Sequence, residues 1–204
     1  MAERSYRKLF WGLAAGGLVL DQAGKYGVFR WLYNGGQGDR REVVPNVFDL
    51  VTNFTHEAGS GPLRTWGGEQ MPQVNHGALF GFLNEHVGLA NALFAVISLV
   101  AAVAIVWWSA RPSARRELGL SAALGLILAG TLGNLYDRLV FGGVRDFLHL
   151  HYYAREWPVF NVADCGLVCG AILLLFQALV VPAHKPAAVP AATSGTVPTP
   201  IASN

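Results

Sequence analysis

Long apolar stretches alternate with polar segments along the chain. Four of these stretches are apolar enough to form helices that cross a membrane, and they cover residues 9–28, 87–108, 118–136 and 160–181. A bilayer core of ~30 Å needs about 20 helical residues, and ~17 suffice. The first stretch contains Asp21 and Lys25, and the last has two polar residues near its start, Asn161 and Asp164. The pattern predicts a membrane all-α fold with four transmembrane helices.

The segments between the stretches predict the rest of the organisation. Residues 29–77 form a first outer loop, in which the stretch VVPNVFDLVTNF is rich in β-branched and aromatic residues and predicts strands. The stretch HEAGSGPLRTWGGEQMPQ in the same loop predicts irregular structure, and residues 138–159 form a second outer loop. We therefore expect one four-helix domain over residues 1–182 with a small β-containing outer region. A Pro-, Ala- and Thr-rich tail, 183–204, is expected to be disordered and cytoplasmic.

The composition supports a membrane protein and argues against a nucleic-acid partner. Of the 204 residues, 52% are hydrophobic and only 14% are charged, whereas a soluble domain has about 25% charged residues. The net charge of +2, with no long basic run, does not suit nucleic-acid binding. Cys165 and Cys169 lie one turn apart on one predicted helix, so we interpret them as small apolar fillers rather than a redox or metal pair.

The positions of Lys and Arg predict how the helices are oriented. Basic residues are dense in the N-terminal segment and in the short loop between the second and third stretches, namely Arg4, Arg7, Lys8, Arg111, Arg115 and Arg116. Because short loops rich in Lys and Arg stay on the cytoplasmic side, we expect both termini in the cytoplasm and the two longer loops outside. The first stretch also resembles a cleavable signal peptide. It has no clean A-x-A site, and its apolar pattern resumes after Asp21, which favours an uncleaved helix.

Two aspartates are predicted to lie at the same depth in neighbouring antiparallel helices. From Leu118 to Asp137 is about 19 residues, or ~28 Å at 1.5 Å per helical residue. From Asp164 to Pro182 is about 18 residues, or ~27 Å. Two close carboxyl groups share one proton, so one can activate water while the other donates a proton to a peptide carbonyl. The pair therefore suits metal-free peptide hydrolysis. Alternatively, each carboxylate is neutralised locally, Asp137 by Arg138 and Asp164 by the start of its helix.

Five short motifs follow one another in a characteristic order. They are DQAGK at 21–25, NHGALF at 75–80, GNLYDR at 133–138, VRDF at 144–147 and FNVAD at 160–164. In sequence and spacing these motifs resemble the signature of the lipoprotein signal peptidases, also called signal peptidase II. The resemblance implies a bacterial inner-membrane aspartic protease that removes the signal peptide from prolipoproteins just before a diacylated cysteine. It also implies that Asp137 and Asp164 are the catalytic pair.

The chain departs from the family pattern in a few places. Gly24 stands where the family usually has Ser or Thr, and Leu79 stands where it often has Ala. The first outer loop is longer than a compact member needs, with the excess between Phe54 and Asn75. None of these differences touches the aspartates, so they affect only how the substrate and its lipid are held.

The motifs also supply residues expected to support the catalytic pair. Asp21 and Lys25 are four apart and can form an ion pair, which either neutralises itself inside the bundle or braces the site. Asn134 and Asn161 each lie three residues before an aspartate, so their amides either orient carboxylates and substrate or hold helices together. The remaining residues expected to support the site or bind substrate are Asn75, Gly77, Arg138, Asp146 and Ala163.

Three of these residues have more specific expectations. Asn75 and Gly77 lie outside the membrane near the second span and are expected to hold the peptide around the lipidated cysteine. Arg138 lies at the interface, where its guanidinium meets either a lipid head group or Asp146. The implied partners are a diacylated prolipoprotein and membrane lipids, with no nucleic acid, no cofactor and a monomeric chain.

Two other functional classes fit parts of the sequence. Asp146, His149 and His151 form a D-x-x-H-x-H pattern, and two histidines at that spacing can bind zinc, although no H-E-x-x-H motif is present. We therefore expect no metal. Charged residues inside predicted membrane helices also occur in ion or proton pathways. Here the polar residues gather near the outer face instead of lining a path through the bilayer, which favours an enzyme over a small transporter.

Overall fold

The computed structural model describes residues 5–55, 70–77 and 87–180. Within them the protein is mostly helical, with antiparallel strands in the segments that join the helices. The predicted tail over 183–204 lies outside the described residues, as does the part of the predicted irregular stretch at 56–69. The one-domain prediction for residues 1–182 therefore stays a prediction.

Within the described ranges, five α-helices follow the four predicted stretches, because a short α-helix joins the second and third. They are α1 (Arg7–Trp31), α2 (Val87–Ser109), α3 (Pro112–Arg116), α4 (Leu118–Phe141) and α5 (Val162–Val180). Three of the described helices, α2, α4 and α5, are long and apolar enough to cross a membrane. Helix α1 carries Asp21 and Lys25 in its C-terminal half and does not meet the same standard of apolarity. The predicted membrane character is confirmed in this coarser form.

Helix α4 is the centre of the bundle. It packs against α1, α2 and α5, and 61% of its most apolar window is buried inside the protein, against 17% for α2 and 11% for α5. The outward faces of α2 and α5 instead expose large apolar side chains, such as Val100 and Leu179. This is the pattern expected of helices whose outer faces contact lipid rather than water.

Six short strands occupy the segments outside the helices. They are β1 (Arg40–Val44), β2 (Phe48–Val51), β3 (Phe54–Thr55), β4 (Met71–Pro72), β5 (Leu148–Tyr152) and β6 (Arg155–Glu156). Strands β1, β2, β5 and β6 form one antiparallel sheet in that order, and β3 pairs with β4. Asp49 of β2 lies opposite His149 of β5. The stretch VVPNVFDLVTNF, residues 43–54, thus contains all of β2, the end of β1 and the start of β3, which confirms that it forms strands.

Two isolated bridges join the sheet region to the helix ends. Asn75 pairs with Val144, and Leu148 pairs with Phe160 just before α5. The Asn75–Val144 bridge has backbone N–H to O distances of 2.7 and 2.8 Å. These bridges hold the segment that follows α4 against the entrance of α5, where the polar motifs converge.

Several element ends differ from the predicted ones. Helix α4 continues to Phe141, five residues past the predicted end, so the second outer loop begins later than residue 138. Gly142 then ends the helix with a left-handed backbone (φ 78°), which glycine adopts at little cost. Helix α5 begins at Val162 rather than at 160, after Phe160 has paired with Leu148. Part of the predicted irregular stretch, Met71–Pro72, is strand β4.

Candidate active site

The polar side chains of the bundle meet at one end of α4. Asp21 and Lys25 reach this point from α1, Asp137 from the last turns of α4, and Arg145 from the turn that follows. All four side chains are fully buried. Because burying a charge is costly unless it is paired, their mutual contacts determine what each can do.

Asp137 is held by two cations. Its Oδ1 accepts a hydrogen bond from Arg145 Nη2 at 2.8 Å. Its Oδ2 accepts hydrogen bonds from the backbone N–H of Arg145 at 2.9 Å and from Arg145 Nε at 3.2 Å. Lys25 Nζ lies 3.3 Å from the same oxygen. Both oxygens of this buried carboxylate are thus paired with cations, which suits a structural counter-charge better than a group that exchanges protons with water.

The alternative pairing of Asp137 with Arg138 is not among the ion pairs of the described residues. Asp137 pairs with Arg145, eight residues on, and with Lys25 of α1. The guanidinium of Arg145 also contacts the faces of Phe141 and Tyr26, at 4.0 and 4.3 Å from the ring centres. The Asp137–Arg145 contact therefore fastens the turn after α4 to the helix itself.

Asp21 and Lys25 form the ion pair that their spacing predicts. Lys25 Nζ lies 2.9 Å from Asp21 Oδ2 and donates to Asn134 Oδ1 at 3.2 Å. Asp21 Oδ1 accepts a hydrogen bond from the backbone N–H of Ala163 at 2.8 Å, in the first turn of α5. An acid at a helix N-terminus satisfies an orphan N–H and the helix dipole. The pair thereby links α1 to α4 and to α5.

Asp146 and Asp164 approach each other around Asn161. The amide Nδ2 of Asn161 donates to Asp146 Oδ1 at 2.7 Å, and its backbone N–H donates to Asp164 Oδ2 at 3.1 Å. Asn75 Nδ2 donates to the second oxygen of Asp146 at 3.0 Å, and Asn134 Nδ2 donates to the second oxygen of Asp164 at 2.8 Å. Both carboxylates are thus oriented by neutral amides rather than by cations.

The two carboxyl groups are also partly open to solvent. Asp146 and Asp164 are half-buried, and Asp146 lines a cavity of about 330 Å³ that opens between the strands and the loop before α5. Solvent can therefore reach this pair, whereas Asp137 has no solvent-exposed surface.

The pKa of Asp146 is raised from 3.8 to about 6. Burial is the largest cause, because it disfavours the charged form, and the negative charge of Asp164 adds to the effect. The hydrogen bonds from Asn75 and Asn161 act in the opposite direction. A carboxyl group with a pKa near 6 is largely protonated in mildly acidic solution and roughly one tenth protonated at pH 7, so it can serve as a general acid.

The remaining predicted residues surround this pair. Gly77 has a left-handed backbone (φ 72°), and a Cβ there would lie 2.9 Å from the ring of Phe94. Its N–H donates to Asn75 Oδ1 at 2.8 Å, which fixes the amide that holds Asp146. Arg138 donates to the backbone oxygen of Asn134 at 3.3 Å and lies over Phe94 at 5.3 Å. Among the described residues it makes no ion pair with Asp146.

Sequence reasoning missed two residues of the site. Arg145 neutralises Asp137, and Gln22 donates to Asp137 Oδ1 at 3.3 Å while accepting from Arg145 Nη2 at 2.9 Å. Both lie inside motifs that the sequence singled out, VRDF and DQAGK. Membership in these motifs was the sequence feature that could have identified them. Without it, a basic residue in an outer loop is expected to be exposed to solvent.

The histidines of the second outer loop lie beside Asp49. His151 Nε2 lies 2.9 Å and His149 Nδ1 3.8 Å from Asp49 Oδ2 in the sheet. Arg40 Nε occupies the same carboxylate oxygen at 2.6 Å. Over residues 5–55, 70–77 and 87–180 there is no group of three or more His, Cys, Asp or Glu side chains arranged to hold a metal. The two histidines of the D-x-x-H-x-H pattern thus contact Asp49, while Asp146 is held by Asn75 and Asn161.

Comparison with known proteins identifies relatives of this arrangement. The profile of the family described as Signal peptidase (SPase) II matches residues 70–180. The lipoprotein signal peptidase of Rhodopirellula baltica is 38% identical over 181 residues, covering 83% of this chain and 70% of the relative. That of Ectopseudomonas mendocina is 46% identical over 136 residues, covering 66% of this chain and 68% of the relative.

Coverage differs among the relatives. The lipoprotein signal peptidase of Pseudoalteromonas translucida is 44% identical over 104 residues, which is 51% of this chain and 62% of the relative. The chain thus spans less than two thirds of the length of some curated relatives that it matches. A solved bacterial membrane enzyme, obtained by the in meso method at 1.9 Å resolution, is 25% identical with a TM-score of 0.67, covering 90% of this chain and 99% of that one. These relatives favour a peptidase over the transporter that the intramembrane charges also allowed.

Proposed function

Because the chain belongs to the signal peptidase II family, we propose that it is a membrane-embedded aspartic endopeptidase that removes the signal peptide from diacylated prolipoproteins. The observation that carries the proposal is the pair of half-buried carboxyl groups of Asp146 and Asp164, which Asn161 joins. We further propose that these two residues, rather than Asp137 and Asp164, form the catalytic pair. Asp137 is proposed to position Arg145 and the turn that carries Asp146.

The two carboxyl groups suit the two halves of an acid–base reaction. Asp164 accepts a proton from water as the water oxygen attacks the peptide carbonyl carbon, and Asp146 donates its proton to the carbonyl oxygen. When the tetrahedral intermediate collapses, Asp164 returns its proton to the leaving nitrogen and the C–N bond breaks. The proton on the former carbonyl oxygen goes back to Asp146. No covalent enzyme intermediate forms, and both groups end in their starting states.

The surrounding amides and ion pairs have distinct proposed roles. Asn75, Asn134 and Asn161 orient the carboxyl groups through the hydrogen bonds described above, without adding charge that would fix their protonation. The buried set of Asp21, Lys25, Asp137 and Arg145 contains two anions and two cations, so its formal charge is zero. It holds α1, α4 and α5 in register while leaving the proton balance of Asp146 and Asp164 to their own environment.

We propose that α1 is a fourth transmembrane helix. Its 25 residues extend over ~37 Å at 1.5 Å per residue, more than the ~30 Å of a bilayer core. The side chains of Asp21 and Lys25, which make it less apolar than the other spans, are fully buried against its neighbours and do not face lipid. The enzyme is proposed to lie in the bacterial inner membrane as a monomer, with both termini cytoplasmic and the carboxyl pair at the outer edge.

The diacylated cysteine is proposed to be a main recognition element. Acyl chains in the bilayer add ~0.8 kcal/mol of apolar attachment per buried CH₂ and hold the scissile bond at the interface. The test compares two precursors with the same sequence, one diacylated and one bare, incubated with the purified protein in the same detergent. We expect cleavage just before the cysteine, with a much larger kcat/KM for the diacylated precursor. Equal kcat/KM for the two would contradict lipid recognition, and no cleavage of either would contradict the peptidase function.

A further inference from the structure

Two cavities adjoin each other on the strand side of the carboxyl pair. The first, of about 330 Å³, reaches Asp146. The second, of about 430 Å³, reaches Asp39 and Glu156 at the far side of the sheet. Asn53 and Val159 line both cavities, so together they form one groove that begins at the carboxyl pair and runs across the strands. We call this continuous space the outer groove.

The outer groove is built from strands and loops rather than from helices. Its described lining residues lie between 37 and 53, between 73 and 75, and between 146 and 159, and none belongs to the membrane helices. A signal peptide is apolar and lies in the bilayer, so it approaches the carboxyl pair from the helix side. The part of a precursor that leaves the carboxyl pair toward water is the part that follows the cleaved bond.

From this placement, which rests on the proposed peptidase function, we propose that the outer groove binds the first residues of the mature lipoprotein in an extended conformation. The end near Asp146 receives the residues directly after the lipidated cysteine. The end near Asp39 and Glu156 receives the residues that come next. The protein thereby selects precursors by the sequence after the cut as well as by the signal peptide and the lipid.

The chemistry of the groove changes along its length. Near Asp146 its walls carry the exposed amide side chains of Asn53 and Gln73. Amides both donate and accept hydrogen bonds, so they can bind the backbone of an extended peptide whatever its side chains are. This end is therefore expected to tolerate many residues.

The far end of the groove is acidic. Arg40 lines it, but the charge of Arg40 is offset by its hydrogen bond to Asp49, at 2.6 Å from Nε. The carboxylates of Asp39 and Glu156 remain at this end of the groove. Because opposite charges attract, we expect a Lys or Arg here to be favoured over a Glu or Asp.

The first test varies the substrate and leaves the enzyme unchanged. Diacylated precursors with one signal peptide end either directly after the lipidated cysteine or several residues beyond it. We expect kcat/KM to be about tenfold larger for the longer precursor. A tenfold change corresponds to ~1.4 kcal/mol, which is about what one or two net hydrogen bonds contribute. Within the longer precursors, Lys in place of Glu at the third to fifth residue should raise kcat/KM a few-fold, as expected for exposed charge pairs.

The second test places the effect in the groove. Asn53→Trp fills the junction of the two cavities, so it should reduce the ratio of long-precursor to short-precursor kcat/KM toward one. Glu156→Gln should reduce the preference for Lys over Glu. Its matched control is Arg155→Gln, a change at the neighbouring exposed residue of β6 that lies outside both cavities, and this control should keep the preference. Ratios within one enzyme variant cancel any loss of folded protein.

The possible outcomes separate this inference from the proposed function. If short and long precursors are both cleaved with the same kcat/KM, the outer groove does not bind the mature segment, while the peptidase function stands. A length preference that survives Asn53→Trp would place the mature segment elsewhere and would also overturn the inference. If neither precursor is cleaved, the proposed function fails and the inference with it.

Discussion

Replacing Asp137 by Asn tests whether this carboxylate is a structural counter-charge. The side chain is fully buried and lies against Lys25 and Arg145, and Lys25 also pairs with Asp21. Asn has nearly the same shape but no charge, so the buried set would change from two anions and two cations to one anion and two cations. Removing one partner of a buried ion pair typically costs about 3–5 kcal/mol, because the opposite charge is left uncompensated.

The expected result is a marked loss of stability. At roughly 2–4 °C per kcal/mol for a protein of this size, Tm should fall by roughly 6–20 °C in detergent. Asp146→Asn is the matched control, since Asp146 is half-buried and is held by the neutral amides of Asn75 and Asn161. This variant should lose turnover while its Tm changes little, by about the effect of one hydrogen bond of ~1 kcal/mol.

One pattern of results would refute the structural assignment. If Asp137→Asn keeps the Tm of the unmodified protein and loses all cleavage, Asp137 takes part in the chemistry and the earlier sequence-based pair regains its support. Thermal unfolding and single-turnover cleavage should therefore be measured on the same preparations, so that activity is compared per folded molecule.

The remaining predictions concern pH, metal and the lipid. Because the pKa of Asp146 is raised to about 6 and its protonated form is the proposed acid, kcat/KM should fall as the pH rises above about 6. Asn75→Ala removes a hydrogen bond that lowers this pKa, so the falling limb of a pH–rate profile should move to higher pH; a shift to lower pH would contradict the sign. EDTA or phenanthroline should leave the cleavage rate unchanged. If a chelator abolished cleavage and added zinc restored it, the hypothesis of a metal-dependent hydrolase would be supported instead. Removing one of the two acyl chains from the precursor should lower kcat/KM to a value between those of the diacylated and bare forms. The measurement compares kcat/KM for precursors with two, one and no acyl chains.

Much of the fold follows from the residue pattern, because membrane helices and strands have clear periods. The long apolar runs predicted four helices, and the β-branched run around Phe48–Val51 predicted strands. The ends were less predictable because they depend on backbone details. Gly142 ends α4 in a left-handed conformation, one turn beyond the point where the apolar pattern weakens.

Most members of the candidate site were predictable, except Gln22 and Arg145, but the pairing of their side chains was not. The helix lengths, at ~1.5 Å per residue, placed Asp137 and Asp164 at the same depth. This estimate takes no account of how the loops between the helices fold. The turn after Gly142 folds back, so that the Arg145 guanidinium reaches Asp137 and the next residue, Asp146, lies beside Asn161. Such contacts depend on the tertiary path of a short loop. Depth along the helices alone therefore could not distinguish Asp137, a buried counter-charge, from Asp146, a carboxyl group that is open to water.

The most direct test of the catalytic assignment is cleavage of a diacylated precursor by Asp146→Asn and Asp164→Asn, each measured against the unmodified protein at equal amounts of folded enzyme. The geometry predicts that neither variant turns over, because Asn can neither donate the proton that Asp146 supplies nor accept the one that Asp164 takes from water. Turnover by either variant at a rate close to that of the unmodified protein would contradict the assignment of this carboxyl pair.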